Sequence, residues 1–126
     1  MEYMEKARQL RARTDVHYNC AQSLLVTFAG EMGLTEEQAY DLGAHFGSGM
    51  RHGSTCGALT SALMVLGMTG HDAKEASALM AGMRERRGAL DCATLLKHSK
   101  EQGIPNKEHC DGLVYELVQA VEDMLK

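Results

Sequence analysis

The residues of this chain with the clearest capacity for chemistry are its four cysteines, each of which lies where a helix is predicted to begin. Unpaired backbone N–H groups and the positive end of the helix dipole stabilise an anion there, which lowers a thiol pKa from its free value of about 8.5. We therefore expect thiolate character at all four positions. The cysteines are Cys20, Cys56, Cys92 and Cys110.

The order of the predicted helices indicates that these thiols converge. One helix separates Cys20 from Cys56 and another separates Cys56 from Cys92, so in an antiparallel bundle these three helix starts share one end. Cys110 comes one helix later and joins them only if the segment "GIPNKEH" runs back along the helix that begins at Cys92. We expect at least three thiols to gather, Cys56 among them, with the place of Cys110 depending on that loop.

Cys56 follows a glycine-rich loop and precedes a long apolar run, "GSGMRHGSTCGALTSALMVLG". Gly57 removes a side chain beside the thiol, and glycines such as Gly53 let backbone N–H groups approach an anion or cofactor closely. Cys56 is thus the first candidate for a reactive thiol, with Gly53, Gly57 and His52 as candidate cofactor-binding residues. The alternative is that the glycines only allow tight packing of helices and loop.

Three histidines lie near the cysteines or the loop and could ligate a metal or act as the base that activates a thiol. His17 precedes Cys20, His109 adjoins Cys110, and His52 lies within the glycine-rich loop. Its place in that loop makes His52 the strongest of the three candidates.

Composition and charge exclude several classes of protein. The chain has no C-x-x-C and no phosphate-binding loop sequence, which argues against thioredoxin-type, zinc-ribbon and nucleotide-hydrolysing sites. A net charge of −4, with "RERR" as the one basic block, argues against nucleic-acid binding. The charged N-terminus and the absence of a long apolar segment predict no signal peptide and no membrane span. We therefore expect a cytoplasmic chain, whose thiols are kept reduced.

The 126 residues predict one all-α domain, residues 1–126, because nine methionines, two phenylalanines and no tryptophan leave little material for strands. Caps and apolar periodicity predict a bundle of six to seven helices. Helix starts are expected after Asn19, Thr35, Asp72 and Asp91 and near Cys110. The run from Ala58 to Met68 is apolar nearly all round, which predicts a central helix surrounded by the others.

Four segments, "NCAQSLL", "TCGALTSALMVLG", "DCATLL" and "CDGLVYELV", resemble the C_GCAxxG_C_C family of redox-active proteins, small prokaryotic chains with four cysteines and a CGAxxG motif. The resemblance extends from Asn19 onward. It places the motif on Cys56, Gly57 and Ala58, and the other family cysteines on Cys20, Cys92 and Cys110. The final glycine of the motif is Ser61 here. The resemblance implies redox chemistry without naming a substrate.

Three functions remain open at this stage. The leading one is thiol–disulfide exchange or electron transfer, with Cys56 attacking and a second cysteine resolving it. The second is a module in which the four cysteines, Cys20, Cys56, Cys92 and Cys110, bind zinc or an iron–sulfur cluster. The third is a helical interaction module whose cysteines only pack. The cofactor, if any, and the redox partner or small-molecule substrate stay unnamed, and a homo-oligomer is left open.

Overall fold

The computed structural model describes residues 3–126, which form eight α-helices and one short turn of π type. No strand occurs among these residues, so the all-α prediction is confirmed for them. The helices are α1 Tyr3–Ala12, α2 Cys20–Thr27, α3 Ala29–Met32, α4 Glu36–Leu42, α5 Gly57–Met68, α6 Ala73–Arg87, α7 Cys92–Glu101 and α8 Asn106–Leu125, with the turn at Gly49–Gly53 between α4 and α5.

Local capping determines where most of the helices begin. The side chains of Asn19, Thr35 and Asp72 each accept a hydrogen bond from the backbone N–H three residues later, and a Gln or Glu there bonds back to the cap. These reciprocal bonds satisfy donors that helices leave free at their N-termini. Asp91 caps α7 in the same way, by accepting from the Thr94 N–H. The four predicted starts are thus confirmed.

The predicted helix count is wrong, because one expected helix is divided. The helix expected after Asn19 breaks at Phe28, whose φ of −105° and ψ of 14° separate α2 from α3. The last helix also differs from expectation, since it begins at Asn106 after Pro105 rather than near Cys110. Proline at the start of a helix has no N–H to leave unpaired, which makes it a common first residue or cap there.

The core is built around two helices rather than one. Every residue of α2 from Ala21 to Thr27 is buried, whereas α5 buries one face and leaves Met68 56% exposed. The expectation that α5 alone is surrounded by other helices is therefore not met in full. Helix α5 packs against α2 and α8, and Ser61 joins two of these elements by donating its hydroxyl to the Gly57 and Ala21 carbonyls at 2.8 and 3.2 Å. This pair of bonds explains how serine is accommodated where the motif has glycine.

Within residues 3–126, no helix combines the length and the apolar character that crossing a bilayer requires.

Candidate functional site

All four cysteines line one cavity of about 210 Å³. They come from four different elements: the starts of α2 and α7, the residue before α5, and the second turn of α8. Cys56 is buried, and the other three are half-buried. None of the four sulfurs is engaged in a disulfide. The structure thus brings together the four predicted site cysteines, including the one whose place the sequence left to a loop.

A short antiparallel bridge places Cys56 and Cys92 side by side. Thr55 pairs with Asp91 across it. The Cys56 N–H donates to the Leu90 carbonyl at 2.9 Å, and the Cys92 N–H donates to the Ser54 carbonyl at 2.7 Å. Because each cysteine directly follows a bridged residue, the starts of α5 and α7 are held together by backbone bonds.

Gly57 allows Cys20 to approach the same point from α2. A Cβ on residue 57 would lie 2.6 Å from the Cys20 Sγ and 2.5 Å from the Phe46 carbonyl oxygen, distances that no real Cβ adopts. Any side chain at this position would therefore displace Cys20. Gly57 also lines the cavity, beside the four thiols.

Cys110 reaches the cavity from the body of a helix rather than from its start. It is the fifth residue of α8, so the expectation that it occupies a first turn is wrong. The preceding residue, His109, is buried, and its Nδ1 lies 2.5 Å from the hydroxyl of Ser99 in α7. This contact joins α7 and α8 next to the thiols.

The predicted direction of the thiol pKa shifts is also wrong for three cysteines. Burial raises the pKa of Cys56 from 9.0 to about 12 and that of Cys110 from 9.0 to about 11, and it raises the pKa of Cys92 as well. Backbone N–H groups of Leu59 and Ala58 act on Cys56 in the expected direction, but desolvation outweighs them.

The four thiols also influence one another. A negative charge on Cys20 raises the pKa of each of the other three cysteines. Cys20 is therefore electrostatically coupled to every other thiol of the cavity, and two thiolates at once are disfavoured.

The glycine-rich loop has an unusual backbone conformation. Four consecutive residues, Ser48 to Arg51, have positive φ angles of 55°, 63°, 60° and 70°, and we call this segment the left-handed turn. A Cβ on Gly49 would lie 2.7 Å from the Cβ of Cys92. Of the loop residues proposed to bind a cofactor, His52 is exposed and neither it nor Gly53 lines the cavity, where Ser48 does. Close packing, the alternative interpretation of these glycines, describes Gly49 well.

Two of the three candidate histidines do line the cavity, namely His17 and His109. Burial lowers the pKa of His109, which keeps its imidazole neutral. Arg11 of α1 and Asn106 also line the cavity and were missed, because nothing in their sequence neighbourhood links them to the cysteines. His109, by contrast, could be predicted from the sequence because it directly precedes Cys110.

The arrangement of possible metal ligands bears on the metal-binding alternative. Among residues 3–126, no three His, Cys, Asp or Glu side chains are grouped so that they could hold one ion. These side chains therefore do not fit a single zinc ion.

The fold is all-helical, and its four cysteines are free thiols around one cavity. These features are those of a protein with a candidate thiol site. The comparison with protein families agrees. Residues 18–124 match the family described as "Putative redox-active protein (C_GCAxxG_C_C)", and the chain belongs to that family. No curated protein and no solved structure gives a significant match to the chain.

Proposed function

We propose that the cavity carries out thiol–disulfide exchange, with two of its four cysteines cycling between dithiol and disulfide. The observation that supports this proposal most directly is that all four thiols line one cavity. Membership of a family described as redox-active agrees with it. In one turnover a substrate disulfide is reduced to two thiols, and two protein thiols are oxidised to one disulfide.

Cys20 is the proposed attacking thiol, in place of Cys56, because Cys56 is only 3% exposed and its pKa is raised to about 12. The Cys20 thiolate attacks one substrate sulfur, and the first substrate thiol leaves with a proton. A mixed disulfide between Cys20 and the second half of the substrate remains. The Cys56 thiolate then attacks the Cys20 sulfur, which releases the second substrate thiol.

The electrostatic coupling between the two thiols favours this order. The charge of Cys20 is one of the causes that raise the Cys56 pKa. Once Cys20 is bound in the mixed disulfide it carries no charge, so that contribution vanishes and the Cys56 thiolate forms more readily. Attack by Cys20 thus prepares the resolving thiol for the second step.

His109 is the proposed proton acceptor. Its Nδ1 is held by the Ser99 hydroxyl, and its ring is neutral because burial lowers its pKa. In the tautomer that carries its proton on Nδ1, the Nδ1–H group donates a hydrogen bond to the Ser99 oxygen. Nε2 is then free to accept a proton from a thiol at the cavity wall.

The test is to mix the fully reduced protein, without oxygen, with a small neutral disulfide such as bis(2-hydroxyethyl) disulfide. We expect two protein thiols to be lost for each disulfide consumed, and peptide mapping to find one bond between Cys20 and Cys56. Cys56→Ser should stop after the first step and accumulate the mixed disulfide on Cys20. Cys20→Ser should lose the rapid reaction.

Cys110→Ser is the matched control, since it removes a cavity thiol with no assigned step and should still complete the exchange. If the native chain loses no thiol while the urea-unfolded chain loses all four, thiol–disulfide exchange is not its function. If Cys20→Ser reacts as fast as the wild type, Cys20 is not the attacking thiol. Zinc or iron present at about one equivalent in freshly purified protein would favour the metal-binding alternative.

A further inference from the structure

The cavity wall has an unusual charge for an acidic protein. The chain carries 17 Asp and Glu against 13 Lys and Arg, yet no carboxylate lines the cavity. Arg11 is its one permanently charged residue. Three of the four thiols, Cys56, Cys92 and Cys110, add no negative charge at neutral pH, because burial raises their pKa values. A negatively charged molecule therefore meets the attraction of Arg11 and no carboxylate at the cavity wall.

Arg11 is partly buried, and its guanidinium is only partly satisfied by hydrogen bonds. Its side chain is 9% exposed, its Nε donates to Asp111 at 2.7 Å, and its Nη1 donates to the Tyr18 carbonyl at 2.8 Å and to the Ser23 hydroxyl at 3.3 Å. The Nη2 group makes no hydrogen bond to any of residues 3–126. A guanidinium N–H is thus left for a ligand at a wall of the thiol cavity.

The charge of Arg11 is not cancelled by its partner. Asp111 also accepts from the Lys107 ammonium at 3.1 Å, so one carboxylate is shared by two cations and the group keeps one net positive charge. Arg11 precedes the family-matched segment, which begins at residue 18. Arg11, the charged residue of the cavity wall, therefore comes from α1, outside that segment.

The grooves next to the cavity also lack carboxylates. Two open grooves adjoin it, each sharing several wall residues with it. One groove is lined by Arg13 and Lys107 besides Arg11, and the other by Arg51 and His45, and neither is lined by a carboxylate. Arg13 is ion-paired with Asp15 and Lys107 with Asp111, so the groove beside Arg51 is the one whose positive charge favours the entry of an anion.

From this geometry we infer that the cavity selects small anionic disulfides, with Arg11 binding a carboxylate of the substrate while its sulfur–sulfur bond faces the thiols. The inference rests on the proposed exchange and names its substrate class. The volume of about 210 Å³ limits the buried part of the substrate to a low-molecular-weight compound. Arg11 neither gains nor loses electrons in the exchange, so its role is to position the substrate.

The test compares three disulfides of similar size and different charge: 3,3′-dithiodipropionate, bis(2-hydroxyethyl) disulfide and cystamine. Rates with the reduced protein are divided by rates with a free thiol, which removes differences in intrinsic reactivity. We expect the normalised rate to be highest for the anionic disulfide, intermediate for the neutral one and lowest for the cationic one. The preference for the anion should weaken as salt is added. Binding of suberate, the dicarboxylate in which two methylenes replace the two sulfurs, is measured separately by thermal shift.

Variants assign the preference to Arg11. Arg11→Met should lower the rate with the anionic disulfide by roughly 10- to 100-fold, the range of one charge-assisted hydrogen bond, and leave the neutral one within about threefold. Asp111→Asn removes the shared carboxylate and should shift the preference further towards the anion, which keeps the test valid if Arg11→Met folds poorly. Arg8→Met is the matched control, since Arg8 lies exposed on the same helix against the Tyr115 ring.

Failure of this inference is distinguishable from failure of the proposed function. If all three disulfides react alike and Asp111→Asn changes nothing, exchange stands and the selection of anions is wrong. If no disulfide reacts, exchange is wrong, and suberate binding that is lost in Arg11→Met but kept in Arg8→Met still supports the anion site. Suberate bound equally by all variants, or by none, overturns the role of Arg11.

Discussion

Cys56 is the thiol whose surroundings differ most from those of a cysteine in water. It is the most buried of the four, and burial raises its pKa from 9.0 to about 12. The unfolded chain releases this proton near the ordinary value, whereas the folded chain retains it. The folded state therefore binds more protons than the unfolded state between these two values.

We expect stability to fall at alkaline pH for this reason. The contribution of Cys56 is fully present below the unfolded pKa of about 9 and is lost as pH rises towards the folded value. The loss from one such group is at most about 1.4 kcal/mol per pH unit. Urea unfolding followed by circular dichroism between pH 7 and 11, under reducing conditions, measures the slope. Cys56→Ala should make it less steep, since Cys92 and Cys110 still contribute, and an unchanged slope in this variant would contradict the prediction.

At the scale of elements, the left-handed turn packs against the start of α7, next to Cys92. Three of its four residues, Ser48, Met50 and Arg51, are not glycine, and each bears the cost of a backbone conformation that L-residues avoid, about 1–2 kcal/mol. The turn is secured by the Ser54 N–H, which donates to the Gly49 carbonyl at 2.8 Å. Strain of this kind persists only where surrounding contacts hold it, and here those contacts adjoin Cys92.

Gly49→Ala should therefore disturb both stability and the site. The added Cβ would meet the Ser54 backbone and lie 2.7 Å from the Cys92 Cβ, at a φ of 63°. We expect a loss of about 2–5 kcal/mol, combining the left-handed penalty with overpacking, and faster alkylation of a displaced Cys92.

Gly88→Ala is the control for that substitution. Gly88 ends α6 at a φ of 79° with open space around its Cα, so an alanine there carries the backbone penalty alone, about 1–2 kcal/mol. Urea unfolding of both variants separates the two causes. Equal losses would show that the contact between Gly49 and Cys92 is unimportant.

At the scale of the whole molecule, one continuous cluster of buried residues connects α1, α2, α5 and α8. Phe28, at the junction of α2 and α3, is fully buried and its ring lies 4.6 Å from the ring of Tyr3. The same core that stabilises the chain holds α1 against the other helices, and α1 brings Arg11 to the cavity. Stability and the charge of the site therefore depend on the same packing.

Phe28→Ala should cost about 3–5 kcal/mol, because it removes a large side chain from a close-packed interior. That loss is a large part of the roughly 5–15 kcal/mol that stabilise a typical domain. Leu42→Ala, at a side chain that is 46% exposed, should cost less than about 0.5 kcal/mol. Thermal or urea unfolding of the two variants gives the comparison, and similar losses would mean that Phe28 is not a principal core residue.

Features that depend on neighbours within one helical turn were predictable from the sequence. Asn19, Thr35, Asp72 and Asp91 begin helices as expected, because a cap needs only the backbone three residues later. The same local logic placed three of the cysteines, Cys20, Cys56 and Cys92, at helix starts. It failed for Cys110, where apolar periodicity begins later than the helix does.

The sequence by itself thus determined the all-α class, most helix starts and the set of thiols. Only the tertiary structure decided that the four thiols share a cavity, that burial raises rather than lowers three of their pKa values, and that Arg11 rather than His52 stands at the wall. Desolvation depends on every element packed around a group, and the contact of Arg11 with Asp111 spans 100 residues of chain. No local sequence pattern encodes the desolvation of the thiols or the contact of Arg11 with Asp111, because both arise only when distant segments pack together.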